Sequence, residues 1–401
     1  MRRISAYWWN HNKRVRIGEL AQARGTPIYF EWDSDFLKSE IELSPLRFKK
    51  QPGLIECPAQ PFDGLPGLFA DSVPDGWGRI LFRRGLERQG LDFEEISPLD
   101  MLQYIADRGM GALSFEPSLQ VGESWADGKV DLEELQQGVE PILAGTPSVV
   151  LEEFLSGGAS PNGMRPKIIA KIKNGIFYVG DEKLKADEWI IKFRAPEDSS
   201  EIGKVEYIYS LLAQEAGLRV QETKLFKTNK GYFFGAKRFD RDDLNRIHMH
   251  TLSGILQTSP ANFAVGYEHF AKVAGAITKD LREVEEVFKL AVFNVLACNQ
   301  DDHSRNVSFL MDSSGSWKVA PAYDLTFHQT RYNEHKMSLY GKGNPSEEEL
   351  RNFGKEIGIS QKNIKEVVES VKSALNRFSI HAKKYDLSKK ELSRIKKALQ
   401  I

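Results

Sequence analysis

Asp301 and Asn306 stand five positions apart in NQDDHSRNVSF, residues 299–309, a polar run between the apolar VFKLAVFNVLAC and a strand-like sequence. Polar groups beside a core are unfavourable unless partners satisfy them or a reaction uses them. At this spacing a carboxylate can take a proton from an incoming hydroxyl, while an amide oxygen five residues on turns back towards Mg²⁺, which prefers hard oxygen ligands. Such a pair arises by chance about once in a chain of this length. Context has to carry it.

Asp324, in APAYDLTF, follows after one strand-and-turn, where protein kinases place a second metal-binding aspartate. Lys192, in WIIKF, lies on a predicted strand with apolar neighbours, so its ammonium leaves one face of a half-buried sheet and suits a phosphate clamp. Glu206, at the start of the next predicted helix, is the candidate partner for it; plain surface placement is the alternative for both. LSGGASPNGMRPK, residues 155–167, has glycines at 157, 158 and 163 that let several backbone N–H groups turn to one anion, with charge added by Arg165 and Lys167. It lacks both the G-K-[ST] ending of a Walker A loop and the kinase G-x-G-x-x-G, so a surface turn competes with an anion loop. His303, one imidazole beside two carboxylates, makes a poor zinc set. His248 and His250 alternate in HMH, where packing or hydrogen bonding outweighs a metal role.

The elements that must position these residues follow from composition and pattern. A chain of 401 residues, 41% hydrophobic and 28% charged, has length for two or three compact units and is neither disordered nor membrane-like in composition. With 55 Lys+Arg against 56 Asp+Glu there is no global basic excess to advertise nucleic acid. Two distant cysteines, Cys57 and Cys298, and no apolar leader or membrane-length run point to a soluble protein of the reducing cytoplasm.

Residues 1–60 read as a small sheet. ADSVPDGWGRILFRRGLERQG predicts a helix capped by Asp71 or Ser72, with Pro74 in its first turn and Gly90 closing it. Its Arg79, Arg83, Arg84 and Arg88 lie mostly along one side, as a solvated face or a stripe for a phosphate or partner. An acidic, loop-like stretch at 117–147 marks a boundary. Asn174-Gly175 predicts a hairpin turn, EWIIKF a strand, and SEIGKVEYIYSLLAQEAGL a helix ended by Gly217. Strands return at TKLFK and YFFGAKRFD. From 242 onward helices dominate, with Leu281–Cys298 buried in its lobe and two Lys-rich amphipathic helices near 359–378 and 387–401.

ADSVPDGWGR, SPNGMRPK, IIKF, KRFDR, NQDDHSRNVSF and APAYDL, in this order, resemble the HipA-like kinases, the toxin halves of bacterial toxin–antitoxin pairs. The resemblance implies an α+β, bilobal protein-kinase-like fold. Its parts would be an N-terminal subdomain at 1–120, a strand-rich N-lobe with a Gly-containing loop at 121–241, and a helical C-lobe with the catalytic loop at 242–401. It implies transfer of the ATP γ-phosphate, with Mg²⁺, to serine or threonine of a protein. By matching position Asp301 would be the base, Asn306 and Asp324 the Mg²⁺ ligands, and Lys192, partnered by Glu206, the phosphate clamp. Gly163, Arg165 and Lys167 would belong to the nucleotide loop, His303 and Tyr323 would lie beside the nucleotide, and Thr251, Leu252 and Ser253 would stand on its adenine side. Ser160 falls where the family carries an autophosphorylated serine, whose added charge would expel the loop and inactivate the protein. HTLS at 250–253 replaces the more common Gln-Glu-Asp, and Asn162 and Met164 replace common Gly and Ala. Implied partners are a HipB-like helix-turn-helix antitoxin, DNA only through that complex, and a protein substrate such as an aminoacyl-tRNA synthetase, with no membrane. Two alternatives stay open: a catalytically weak module that binds a repressor–DNA complex, and a kinase for a small-molecule or lipid hydroxyl.

Overall fold

Alternation in RRISAYWWN turns Ile4, Ala6 and Trp8 to one face of a strand, β1 (Arg2–Asn10), and all three are buried. The computed structural model describes residues 1–11, 13–91, 96–121, 128–157, 163–180, 184–242 and 245–401. β1 pairs antiparallel with β2 (Lys13–Gln22), which continues to β3 (Tyr29–Trp32) and β4 (Leu54–Glu56); β5 (Leu113–Glu116) closes the order β4-β3-β2-β1-β5. The apolar face packs on Phe69 and on Leu99 and Leu102 of the helix Pro98–Ile105, which starts in a capping box between Ser97 and Asp100.

A second sheet runs β10-β11-β9-β7-β8-β6, built from β6 (Lys129–Val130), β7 (Lys167–Lys173), β8 (Ile176–Tyr178), β9 (Glu188–Lys192), β10 (Thr223–Lys227) and β11 (Tyr232–Lys237). Asn174 and Gly175 make the β7–β8 turn with φ of 52° and 76°, as the sequence predicts, because a two-residue hairpin turn needs positive φ at both positions. Period two splits the sheet's chemistry. Ile168, Ala170, Trp189 and Ile191 pack into a core with the helices Gly76–Arg88, Leu132–Ala144 and Leu151–Ser156, while Lys167 and Lys192, paired across β7 and β9, occupy the opposite face.

Three expectations change here. The helix predicted from Asp71 or Ser72 starts at Gly76 with Asp75 as its cap residue, and Pro74 precedes it, because Asp71 is engaged elsewhere, as described below. The acidic stretch at 117–147 contains a helix, Leu132–Ala144, capped by Asp131 and ended by Gly145 at φ 76°. Its acidic residues masked the helical spacing of Leu132, Leu135, Val139 and Ile142, which are the face that packs. The hydrophobic cores also cross the expected boundary at 120, since Gly76–Arg88 and the Met101, Tyr104 and Ile105 side chains join the core of the second sheet.

The C-terminal core gathers the helices Ile202–Glu215, Leu252–Leu256, Tyr267–Thr278, Leu281–Leu296, Glu347–Glu356, Gln361–Asn376, Phe378–Lys384 and Lys389–Leu399. Ile202–Glu215, expected with the strand-rich lobe, sends Val205, Ile208, Tyr209 and Leu212 into this core and so links the two lobes. A short pair, β12 (Arg241–Asp242) and β13 (Asn245–Arg246), precedes a three-stranded sheet of β14 (His248–Thr251), β15 (Ser308–Met311) and β16 (Trp317–Val319). Ser360 and Ser388 cap the two Lys-rich tail helices; Glu347–Glu356 and Phe378–Lys384 are additional to those predicted. Among the described residues no helix is long and apolar enough to cross a membrane.

Candidate active site

The polar run after the buried helix Leu281–Leu296 divides into residues that hold the loop and residues that leave it. Asn299 donates from its side chain to Asn294 Oδ1 at 3.0 Å, and Gln300 Oε1 accepts from Thr330 N at 2.7 Å. Asp302, 2% exposed, accepts from the Tyr267 hydroxyl at 2.5 Å, His335 Nδ1 at 2.9 Å and Lys336 N at 2.9 Å. A buried carboxylate with this many partners fixes the backbone on either side of it. Its neighbour Asp301 remains partly exposed, and among the described residues no hydrogen bond or ion pair involves the Asp301 side chain. Asn306 Nδ2 donates to Asp301 O at 2.9 Å, which leaves the amide oxygen as the end turned away from that contact.

Across from this loop, Lys192 leaves β9 on the face opposite Trp189 and Ile191 and reaches Glu206 Oε2 at 3.1 Å and the Asp324 carboxylate. The Glu206 contact is an ion pair without hydrogen-bond geometry. Glu206 also pairs with Arg165 at 3.2 Å, and Arg165 with Asp198 at 3.3 Å. Burial opposes the Lys192 charge, yet Asp324 and Glu206 hold its pKa above the ordinary lysine value. Burial likewise opposes the Asp324 charge, but Lys192 and Lys167 hold that carboxyl well below the usual range. Lys167 is pushed down to about 8, chiefly by burial, with Lys192 acting in the same direction. Asp324 adopts φ 56°, a left-handed conformation that aspartate tolerates better than most residues and that turns its carboxylate to the lysines.

The cleft between the lobes is lined by Lys167, Lys192, Asn306, Tyr323 and Asp324 together with Ile190, Ala236, Phe239, Met249, Gln221 and Thr251. It encloses about 70 Å³, less than the roughly 300–1,000 Å³ of small-molecule clefts, with the Lys192–Asp324 pair in its lining. The donor set fits a magnesium–polyphosphate group: Asp324 and Asn306 offer hard oxygens, and two lysines face the place where phosphate oxygens would enter.

The N-terminal part of the chain meets this cleft through two aspartates that sequence reading passed over or assigned to helix capping: Asp71 lines it, and Asp75 binds Arg305, which does. Asp71 accepts from Thr251 N and Thr251 Oγ1, both at 2.7 Å, and from His250 Nδ1 at 2.6 Å. Burial would raise its pKa, but the His250 and Thr251 bonds and Arg305 keep it lowered. Asp75 accepts from Gly163 N at 2.6 Å and pairs with Arg305 at 2.5 Å, so one carboxylate ties the end of the Gly-containing segment to the loop carrying Asp301 and Asn306. The contact is close: a Cβ on Gly76, whose φ is 40°, would lie 2.5 Å from Gly163 O. Gly76→Ala is therefore expected to lower unfolding free energy by about 1–3 kcal/mol, read from the urea midpoint. An unchanged midpoint would mean that the two segments do not depend on this approach.

Of the residues singled out from sequence, Lys192, Glu206, Arg165, Lys167, Asp324, Asn306, Thr251 and Tyr323 meet at or beside the cleft. Gly163 sits at its rim on Asp75, and Asp301 adjoins it through Asn306. Leu252 and Ser253 do not line it. They open the helix Leu252–Leu256, where Leu252 joins the C-terminal core and Ser253 Oγ donates to Thr258 O at 2.6 Å, because Thr251 is the last residue on the cleft side before the chain turns inward. His303 does not line it either; its Nδ1 is buried without a hydrogen-bond partner among the described residues. Ser160 lies outside the described residues. His248 and His250 hold Leu43 O, Ser44 and Asp71 in a packing and hydrogen-bonding role, and among the described residues no cluster of His, Cys, Asp and Glu suits a metal by itself. The arginine stripe splits up: Arg84 binds Ile142 O and Arg88 pairs with Glu152. Asp302, Asp75 and Phe239 went unread because nothing in local spacing distinguishes a partner supplied from more than thirty residues away.

Residues 159–378 match the model of the HipA-like C-terminal domain, and residues 8–116 that of the HipA N-terminal domain. A Haemophilus influenzae (strain Rd) protein named "Putative kinase" is 28% identical over 183 residues, which are 42% of this chain and 52% of that protein, so the chain matches about half of that relative's length. The Shewanella oneidensis HipA structure, solved with HipB and its operator DNA, superposes with a TM-score of 0.69 at 17% identity, covering 99% of this chain and 95% of that structure's. That likeness gives the same α+β kinase-like fold, and with the C-terminal model alone matching more than half of its residues the chain belongs to the HipA-like family.

Proposed function

We propose that this protein is an ATP- and Mg²⁺-dependent kinase of HipA type that phosphorylates serine or threonine of a protein. The observation that carries this reading is the joining of Lys192 to both Glu206 and Asp324 in a cleft that Asn306 also lines. Mg²⁺, when bound, neutralises charge on the phosphate oxygens and orients the transferred group. Asp324 and Asn306 would hold it, Lys192 would turn from Asp324 to a phosphate oxygen, and Glu206 would keep the ammonium in place. Asp301 accepts the proton of the attacking hydroxyl. Ile190, Ala236, Phe239 and Met249 supply apolar surface for the base. Because phosphoryl transfer depends on positioning and charge stabilisation, Asp75 contributes by joining Gly163 to Arg305 of the catalytic loop.

The S. oneidensis complex supports a helix-turn-helix antitoxin of HipB type as partner, with DNA contacted through that complex. In that setting the protein acts as the toxin of the pair. Incubating the protein with labelled ATP and Mg²⁺ tests the reading: label is expected on the protein, at Ser160, and is lost in Ser160→Ala. Turnover of ATP only when a small-molecule or lipid hydroxyl is supplied would replace protein phosphorylation with that alternative. No transfer to any acceptor would remove the kinase reading.

A further inference from the structure

A second concentration of positive charge lies outside the Lys192 cleft. A separate cavity of about 600 Å³, within the range of small-molecule sites, opens between β7, β9, the side chains of Lys237, Arg238, Arg241 and Arg246, and the residues around Asp107. Among the described residues seven lysine and arginine side chains line it against three carboxylates, and no residue lines both this cavity and the Lys192 cleft. β9 runs past both on one face of the sheet: Lys192 and Ile190 line the cleft, and Glu188, at the same two-residue period, lines the cavity. The segment after β11 does the same, with Arg238 on the cavity and Phe239 on the cleft.

The cavity's base is built rather than incidental. Asp240, 0% exposed, accepts from Gly111 N at 2.7 Å, from Arg238 Nη2 at 2.6 Å and from Arg241 Nη1 at 2.7 Å. Gly109 O accepts from both guanidiniums, at 2.9 Å and 3.0 Å, and Glu188 pairs with Arg238 at 2.8 Å. Arg246 is held by the Asp107 backbone oxygen and stacks over Trp9 at 4.6 Å. Guanidiniums fixed in this way have already lost their rotamer freedom, which favours bidentate capture of an anion. Among the described residues, seven cations thus stand against four carboxylates when the buried Asp240 is counted with those that line the cavity. Burial, then the neighbouring Arg238, pushes Arg241 below its ordinary value, and burial does the same to Arg246. An anion entering here would relieve both.

We propose that this cavity is a second ligand site, taking a small polyanion with two or more adjacent phosphates on Arg241, Arg246, Lys171 and Lys185. A di- or triphosphate presents several adjacent anionic oxygens to these cations, and a cavity lined chiefly by one sign of charge concentrates ligands of the opposite sign from solution. Tyr178 and Ile169 line one side and offer apolar surface to an attached base. The site stands independently of the kinase reading, since neither its residues nor its geometry involve Asp301, Asn306 or Asp324.

Calorimetry on the full chain tests it, with inorganic tripolyphosphate as probe, no magnesium and fixed ionic strength. The Lys192→Met background silences the neighbouring cleft. One molecule of probe is expected to bind per chain, and Lys171→Gln with Lys185→Gln is expected to weaken it at least tenfold, because two charge-assisted contacts are lost. Both lysines reach solvent, and a thermal melt within about 2 °C of the parent checks that the variant folds. Absence of binding in the Lys192→Met protein, or affinity unaltered by the lysine pair, overturns the proposal. A nucleoside diphosphate run in parallel separates the sources: tighter binding than tripolyphosphate assigns a nucleoside polyphosphate, and weaker binding assigns an inorganic phosphate chain.

Discussion

Asp301→Ala is expected to lower phosphoryl transfer by about 10²- to 10⁴-fold, the loss that follows removal of a positioned base. Nucleotide affinity should stay nearly constant, because the groups that line the cleft are Lys192, Lys167, Asn306 and Asp324 and all four are left intact. The expectation rests on how the loop divides its work. Asn299, Gln300 and Asp302 are spent on partners in the C-terminal lobe, Asn306 is hydrogen-bonded to the Asp301 backbone, and the Asp301 carboxylate is held out from a rigid frame. Single-turnover transfer from labelled ATP checks it, alongside nucleotide binding by calorimetry. A variant that transfers phosphate at the parent rate would show that another group takes the proton. Asn306 and Asp324 variants should behave differently, with transfer recovering in part as Mg²⁺ is raised, because those side chains hold the ion rather than the proton.

Asp240→Ala should destabilise the fold by about 3–5 kcal/mol, since it removes the carboxylate that compensates two buried guanidiniums and leaves both charges without it. Arg238 is 3% exposed, and the Arg241 side chain 11%. The energy comes from the asymmetry of a buried pair: the complete cluster is close to neutral in stability, whereas half of it is strongly unfavourable. Chemical denaturation gives the difference directly. Burial by itself would raise the Asp240 pKa, but Arg238 and Arg241 hold it well below the ordinary range. A carboxyl depressed in the folded state contributes stability that is fully present above the unfolded value of about 3.9 and is lost as pH falls through the folded value. The stability gap between the protein and Asp240→Asn should therefore be constant near neutrality and narrow below about pH 4. A gap independent of pH down to the acid transition would mean that Asp240 does not titrate against these arginines.

Several features were legible in the amino-acid sequence because they are set by neighbours along the chain. Asn174-Gly175 specified its turn through positive φ, WIIKF placed Lys192 opposite its apolar neighbours through the two-residue period, and the helix around Val205, Ile208 and Leu212 was written in its spacing. The pairing of Lys192 with Glu206, suggested by strand-then-helix order, is present at 3.1 Å. Other features were not legible because long-range partners decide them. Asp71 looked like a helix cap until Thr251 and His250 claimed its carboxylate from 180 and 179 residues away. Leu252 and Ser253 share a motif with Thr251, yet the chain turns at the start of a helix and only Thr251 keeps the cleft. Asp302 and Asp301 are identical side chains in adjacent positions, and only the approach of Tyr267, His335 and Lys336 makes one a structural anchor and leaves the other partly exposed.

The sequence by itself therefore determined which residue types were present and the local geometry that aims them, since turn conformation and strand and helix periods act over a few residues. Tertiary structure alone decided which carboxylates are neutralised in the interior, which lysine faces which acid, and where seven cations among the described residues gather into one cavity. Those outcomes depend on burial and on charges brought together from distant parts of the chain, and neither quantity is defined until the lobes have packed.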